Sequence, residues 1–237
     1  MSSEKIDVII PFKNGSVSRL RNLLFVTRYY RRHLPNAQIT IVEQNTHTRM
    51  EELEALIDNH LFLNLKEQLC CRSLLFNKGY NITDREYILL ADADCVPDVN
   101  LLRNIHEYFD ALQTKYLVMH ENVYYLENDM SEAFVLEDRV NDRTTNNLQG
   151  VYNVKTVGGC GIISRKNYFL NKGFDEKYVG WGGEDDDFYN RWYMRAYDSV
   201  GRIKYDLIHL WHFRDNTAIP QEDKFKKAVV PTKLVQW

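Results

Sequence analysis

The chain has 237 residues, 44% of them hydrophobic and 27% charged. That suffices for one or two domains of ~150 residues and for a core that needs no disulfide staples. An aromatic share of 13% excludes a disordered chain, and a mean hydropathy of -0.46 without a run of ~18 apolar residues excludes a membrane span. The 30 basic and 33 acidic residues leave a net charge of -3, the opposite of the basic surplus a nucleic-acid footprint needs.

The first strand is expected at Ile6–Ile10, β-branched and stopped by Pro11. Ser18–Arg32 follows as a helix, with Leu20, Leu23, Leu24 and Val26 on the face that meets a sheet. Gln38–Glu43 reads as a second strand, Met50–Asn59 as a helix and Leu61–Leu63 as a short strand. Leu69–Tyr80 reads as a helix ended by Gly79. Tyr87–Ala91 (YILLA) is a fully apolar strand ending in Asp92-Ala93-Asp94, followed by a helix over Leu101–Leu112 and a strand over Tyr116–Met119. This alternation predicts an α/β fold with a mostly parallel sheet flanked by helices, in which ligands sit at the carboxyl ends of the strands.

The second half is less regular. A helix is expected around Glu132–Val140, a glycine-rich turn into a strand at Gly158–Ser164, and a short helix at Arg165–Asn171. Gly180–Gly183 reads as a loop, Glu184–Arg195 as a helix and Tyr205–His212 as strand-like. With no linker and no repeat, one domain over residues 1–237 is the simpler expectation. Cys70 and Cys71 are adjacent and no CxxC pair exists, so the four cysteines read as reduced and mostly buried rather than as bridges or a zinc site. With no signal-peptide pattern, that points to a cytoplasmic protein.

Four constellations carry chemistry. Asp92 and Asp94, two apart at a strand end, would share a side and make a hard oxygen site for Mg²⁺ or Mn²⁺; acids that merely end a strand in a turn are the competing reading. Glu184–Asp187 follow Trp181-Gly182-Gly183. Acids in a helix's first turn favour its positive end, but that does not explain the Trp-Gly-Gly before them, which suits a sugar. His209 and His212 would point to opposite sides of a strand, so a shared ligand role needs a turn between them. Pro11-Phe12-Lys13 places a basic residue at the end of the first strand, where a nucleotide could lie.

Together these residues resemble the β-1,4-galactosyltransferase family. The stretch VGGCGIISRKNYFLNKGFDEKYVGWGGEDDDFYNR, Val157–Arg191, is similar to that family's C-terminal signature. Upstream, Ile9–Asn14 resembles the family's IPFRNR start, Ile39–Asn45 its second strand, and Arg72–Gly79 its next helix, while Asp92-Ala93-Asp94 takes the place of its DVD. The likeness spans residues 6–213, with 120–150 unmatched. It implies a GT-A fold, with a nucleotide-binding half at 1–119 and an acceptor and catalytic half at 120–237. It also implies an inverting, metal-dependent transfer from a UDP-sugar, with galactose or N-acetylgalactosamine favoured, to a saccharide acceptor.

Carried over, Pro11, Phe12, Lys13, Arg72 and Asp92 would line the nucleotide site. Asp94 and His212 would ligate Mn²⁺ (or Mg²⁺), with His209 where the animal enzymes carry a methionine. Gly159, Trp181, Gly183 and Glu184 would contact sugars, Asp186 would hold the acceptor, and Asp185 would be the catalytic base. Lys13 stands in place of an arginine, and Thr156 and Val157 in place of an aromatic pair near the donor sugar. No anchor or stem like that of the animal Golgi enzymes is seen, which fits a soluble bacterial or viral relative. A retaining polypeptide-type transferase and a non-catalytic sugar-nucleotide-binding module are the alternatives. A nucleotidyltransferase is disfavoured by the lack of a G-x-G loop near Pro11.

Overall fold

The computed structural model describes residues 3–213 other than 49, 66–68, 138–151, 155, 181 and 196–197. Among these residues the backbone forms two sheets. The larger has seven strands in the order β10-β6-β9-β4-β1-β2-β3: β1 (Ile6–Phe12), β2 (Gln38–Asn45), β3 (Asn59–Asn64), β4 (Tyr87–Ala91), β6 (Tyr116–Val118), β9 (Cys160–Ser164) and β10 (Val200–Arg202). Strands β3, β2, β1 and β4 run parallel, and β9 lies antiparallel between β4 and β6.

Every residue of β1 is buried, as a strand covered on both faces must be. Ile6, Val8 and Ile10 pack with Leu23 and Val26 of α1 (Val17–His33), and with Leu101 and Leu102 of α3 (Val99–Arg103). Ile9 points the other way. It packs with Leu75 and Phe76 of α2 (Arg72–Ile82), Tyr168 of α6 (Arg165–Leu170), and Phe188 and Trp192 of α7 (Glu184–Arg195). One alternating strand thus seeds both core layers.

The smaller sheet, β5-β11-β7-β8, is built from β5 (Cys95–Pro97), β7 (Asn122–Tyr125), β8 (Tyr152–Val154) and β11 (Asp206–His209). It brings the chain just after Asp94 against the chain just before His212, because β5 and β11 pair antiparallel with Cys95 opposite His209. No described helix is long and apolar enough to cross a membrane.

Several expectations need correction. Pro11 does not stop β1, which runs on to Phe12 with Pro11 opposite Val42. Pairing with β4 ends at Ile9, so beyond it β1 has one neighbour, the edge-like setting that tolerates a residue with no N–H. The expected Met50–Asn59 helix shrinks to a 3-10 turn at Met50–Leu53. The Leu101–Leu112 helix breaks at Asn104, which leaves the helical region at φ −106°, as asparagine does where its amide competes with the backbone. Beyond it lie a 3-10 turn at Ile105–Tyr108 and α4 (Phe109–Leu112). The helix foreseen around Glu132–Val140 is α5 (Asn128–Leu136), and residues 138–140 lie outside the described residues.

Gly79 does not end its helix. It lies inside α2, buried, where a Cβ would overlap Cγ2 of Ile9 and crowd Cγ2 of Val42. The glycine lets α2 sit directly on β1 and β2. Gly79→Ala should therefore cost about 1–3 kcal/mol through overpacking, despite alanine's better helix propensity, and lower Tm by roughly 3–10 °C. An unchanged or raised Tm would show that α2 does not rely on this close approach.

Candidate active site

The site forms where the carboxyl ends of β1 and β4 meet the amino-terminal ends of α2 and α7. Arg72 is its hub. As the first residue of α2, it is held by Gln44 of β2, whose side-chain oxygen accepts from the Cys71 N–H at 2.8 Å. The Arg72 Nε donates to Asp92 Oδ1 at 2.7 Å, and Nη1 donates to Asp185 Oδ1 at 2.7 Å and to Glu184 Oε1 at 3.1 Å. Its guanidinium also lies 4.7 Å over the Phe76 ring. Three carboxylates on one cation leave a local excess of negative charge. Burial pushes the Asp92 carboxyl up to about 7; Arg72 opposes that, and Asp185 and Asp94 add to it.

The acidic run opening α7 divides its labour. Glu184 and Asp185 turn to Arg72. Asp187 accepts from Arg191 Nε at 2.8 Å, one helical turn on, and Arg191 in turn donates to the carbonyls of Asn171 and Gly173. Asp186 lies at the surface beside Asp185; partial burial and then that neighbour push its carboxyl up. Glu184 is 4% exposed, and its Oε2 is buried with no hydrogen-bond partner among the described residues. Gly183, at φ 89°, leads into the helix through a conformation that favours glycine. Trp181 lies outside the described residues.

Gly158 and Gly159 form the opposite wall. A Cβ on Gly158 would overlap the Asp185 carboxylate, so the missing side chain is what lets Asp185 approach. Gly159 sits at φ 95°, and its carbonyl accepts from the Asp92 N–H at 3.0 Å. Pro11 and Phe12 are buried at the end of β1, with Phe12 part of the core, and Lys13 is half-buried beyond them. Burial pushes the Cys70 thiol up to about 11 even though Arg19, Arg72 and Lys13 all act on it. Three cations therefore lie around Cys70, one of them the Arg72 that holds Asp92.

The two aspartates of the DAD sequence do not act on one group. Strand β4 ends at Ala91 and a turn follows, so Asp92 takes Arg72 while Asp94 faces the histidines. His212 Nε2 lies 3.2 Å from Asp94 Oδ2, and His209 Nε2 lies 3.6 Å from Asp94 Oδ1. The turn that this convergence requires is present, because β11 stops at His209. Residues 210–213 are then tied down: Leu210 N–H donates to the Asp94 carbonyl, Trp211 N–H to Ser131, and Phe213 N–H to Ser18.

The donor set fits a divalent cation. Burial pushes the Asp94 carboxyl up, but His209, His212 and Arg19 outweigh it and hold it below its ordinary value. Burial pushes His212 down to about 4, so its ring is neutral at pH 7 and carries one N–H. His212 Nδ1 lies 3.0 Å from the Phe213 carbonyl, which can only accept, so Nδ1 holds the hydrogen. The Nε2 lone pair then faces an ionised carboxylate oxygen, an arrangement a cation between them would satisfy. Carboxylate and imidazole donors suit Mn²⁺ and its first-row neighbours.

Two residues here were not given roles from the sequence. Cys95 lies beside Asp94, and its proximity to the motif was its only signal. His120 is fully buried; its Nε2 donates to the Gly158 carbonyl at 2.8 Å, and its Nδ1 has no partner among the described residues. Nothing in the local sequence marks it.

Burial pushes His120 down to about 4, with the Gly158 carbonyl opposing and Arg202 adding to it. Between pH 6.5 and about 4 the unfolded chain binds the extra proton, so His120's contribution is present above that window and is lost as pH falls through it, about 3 kcal/mol in all. Relative to His120→Gln, which keeps a donor for Gly158, the wild type should lose that much stability from pH 7 to pH 4. A stability difference that does not vary with pH would refute the buried neutral imidazole.

A family profile described as the N-terminal domain of galactosyltransferase matches residues 142–215. Human β-1,4-galactosyltransferase 1 is 34% identical over 80 residues, 31% of this chain and 19% of the relative. Mouse β-1,4-galactosyltransferase 7 is 44% identical over 45 residues, 19% of this chain and 14% of the relative. The matched stretch thus spans about a fifth or less of the curated relatives' length. Among solved structures, the catalytic domain of Drosophila β-1,4-galactosyltransferase 7 in complex with xylobiose aligns with a TM-score of 0.53 at 17% identity, covering 96% of this chain and 81% of that one. A mutant of the Drosophila enzyme, in complex with manganese, UDP-Gal and xylobiose, aligns at 0.55 and 17% identity. Residues 142–215 are thus similar in sequence to galactosyltransferases, and the chain shares the GT-A fold of the Drosophila enzyme.

Proposed function

We propose that this chain is a metal-dependent inverting glycosyltransferase. It moves a sugar, galactose or N-acetylgalactosamine first, from a UDP-sugar to a hydroxyl of a saccharide acceptor. The observation that carries this reading is the shared rim of Arg72, with its three carboxylates, and the Asp94–His209–His212 cluster. A cation-binding group and a proton-accepting group stand side by side at the strand ends. The Drosophila relative's complex with manganese, UDP-Gal and xylobiose supports the same ligand classes.

In this reading Pro11 and Phe12 floor the nucleotide site, and Lys13 and Arg72 bind the diphosphate, with Asp92 at its edge. Asp94, His209 and His212 would hold a divalent cation, which would supply Lewis-acid neutralisation of the departing diphosphate. Glu184 offers its unpartnered Oε2 to a sugar hydroxyl, because a buried carboxylate oxygen without a donor is costly. Gly159 and Gly183 let the backbone approach the sugars, Trp181 supplies an apolar face, and Asp186 holds the acceptor at the surface. Asp185 accepts the acceptor's hydroxyl proton. The oxygen attacks the anomeric carbon, the bond to the phosphate oxygen breaks, and UDP leaves with the electron pair. Attack from the face opposite the leaving group turns an α-linked donor into a β-linked product.

Thermal unfolding with UDP, with Mn²⁺ and with both tests the shared site, and product anomeric analysis with a panel of UDP-sugars tests the reaction. A shift that needs both ligands, together with a β-linked product, is expected. No shift in any combination, or an α-linked product, would overturn the proposal.

A further inference from the structure

We propose that Cys95 is a ligand of the same cation, which makes the site a mixed sulfur, nitrogen and oxygen set selective for thiophilic ions such as Zn²⁺ or Co²⁺ over Mg²⁺. The inference rests on the metal site proposed above and goes beyond it in ligand and in metal.

The geometry comes from the smaller sheet. Cys95 and His209 are directly opposite in the antiparallel pair of β5 and β11, and directly opposed residues present their side chains on the same face. The Cys95 sulfur, one carboxylate oxygen of Asp94 and one ring nitrogen of His209 all lie within 4.8 Å of one another. Sγ is 3.6 Å from Asp94 Oδ1, the oxygen that also faces His209. His212 approaches the other oxygen of Asp94. Across from the sulfur stands Gly159, where a Cβ would lie 3.3 Å from Sγ and 2.8 Å from Leu207 Cδ2. A side chain there would crowd the sulfur.

Cys95 is 1% exposed, and a buried cysteine is usually a small apolar filler. Filler does not account for a thiol placed within reach of a buried carboxylate and a half-buried imidazole, on the three-residue strand that follows Asp94 and pairs with the strand carrying His209. Carboxylate, imidazole and thiolate give three donors within reach of one another, and His212 faces the other oxygen of Asp94. Sulfur and imidazole favour zinc-like ions, while Mg²⁺ demands oxygen. When the ion binds, the S–H bond gives its proton to solvent and the sulfur pair goes to the metal.

Cobalt(II) alone, added to the full chain without nucleotide, reads the ligand set directly. The expected spectrum has a sulfur-to-cobalt charge-transfer band in the near ultraviolet and ligand-field bands in the visible. Cys95→Ser and Cys95→Ala should lose the first and keep the second, with thermal melting confirming that both variants fold. Zn²⁺ should displace the cobalt where equal Mg²⁺ does not, and Cys95→Ser should weaken Zn²⁺ by at least the ~10-fold that follows loss of a mere outer partner. Ligand-field bands without charge transfer in the wild type would overturn the Cys95 assignment and leave the metal site standing. No cobalt bound, with or without UDP, would overturn both. A charge-transfer band in a chain that transfers no sugar would uphold Cys95 and reject the glycosyltransferase reading.

Discussion

Asp185→Asn should lower the rate of sugar transfer by about 10²–10⁴-fold, the usual contribution of a positioned general base, and leave UDP–Mn²⁺ binding largely intact. The substitution keeps the shape of the side chain. Its oxygen can still accept from Arg72 Nη1, which now donates to Asp185 Oδ1 at 2.7 Å, so α7 stays where it is. What disappears is the ability to take up a proton. One negative charge also leaves a cluster in which Asp185 pushes up the carboxyls of Asp92, Glu184 and Asp186. The variant should therefore fold at least as stably as the wild type, and lost turnover will not be a folding defect. The decisive comparison is kcat against the thermal shift with UDP and Mn²⁺: a collapsed kcat with a preserved shift assigns the proton to Asp185. Unchanged turnover would move the base elsewhere in the cluster, with Asp186 the next group to replace.

Most strands of the larger sheet and the helices α1, α2 and α7 were readable because their signal is local; the three-residue edge strand β10 was not. YILLA has nowhere to go but a doubly covered strand, and Leu20, Leu23, Leu24 and Val26 recur at helical spacing. Of the smaller sheet only β11 was readable, inside the strand expected at Tyr205–His212. Strands β5, β7 and β8 have three or four residues each, too short for a period to show, and only long-range pairing defines them. Yet that sheet sets Asp94 and Cys95 against His209.

The same limit applies at single residues. Pro11 and Gly79 usually interrupt elements, and here both lie inside one. The neighbours that permit this, a one-sided β1 and the close surface of Ile9 and Val42, are tertiary. Asp92 and Asp94 were expected to share one side. The turn after Ala91 parts them, so the pair serves two functions, an ion pair and a cation site, rather than one. The run from Glu184 to Asp187 looked like four repelling charges, and the structure gives Arg72 to two of them and Arg191 to a third.

That partition decides what replacing Asp94 will do. Asp94→Asn should abolish the part of UDP binding that depends on Mn²⁺. At ~100 times its dissociation constant a ligand adds ~2.7 kcal/mol, roughly 5–10 °C for a chain of this size, and it is this shift that should vanish. Asparagine keeps the backbone carbonyl that accepts from Leu210 at 2.8 Å, so the anchored segment carrying His212 stays in place. The neutral amide no longer offers the anionic oxygen that His209 and His212 both face. The imidazoles of His209 and His212 that remain hold Mn²⁺ weakly, because it prefers oxygen donors. Lys13 and Arg72 are untouched, so a residual shift with UDP alone should match the wild type measured with chelator. A full UDP–Mn²⁺ shift in Asp94→Asn would remove Asp94 from the ligand set and put the cation, if one binds, nearer Asp92.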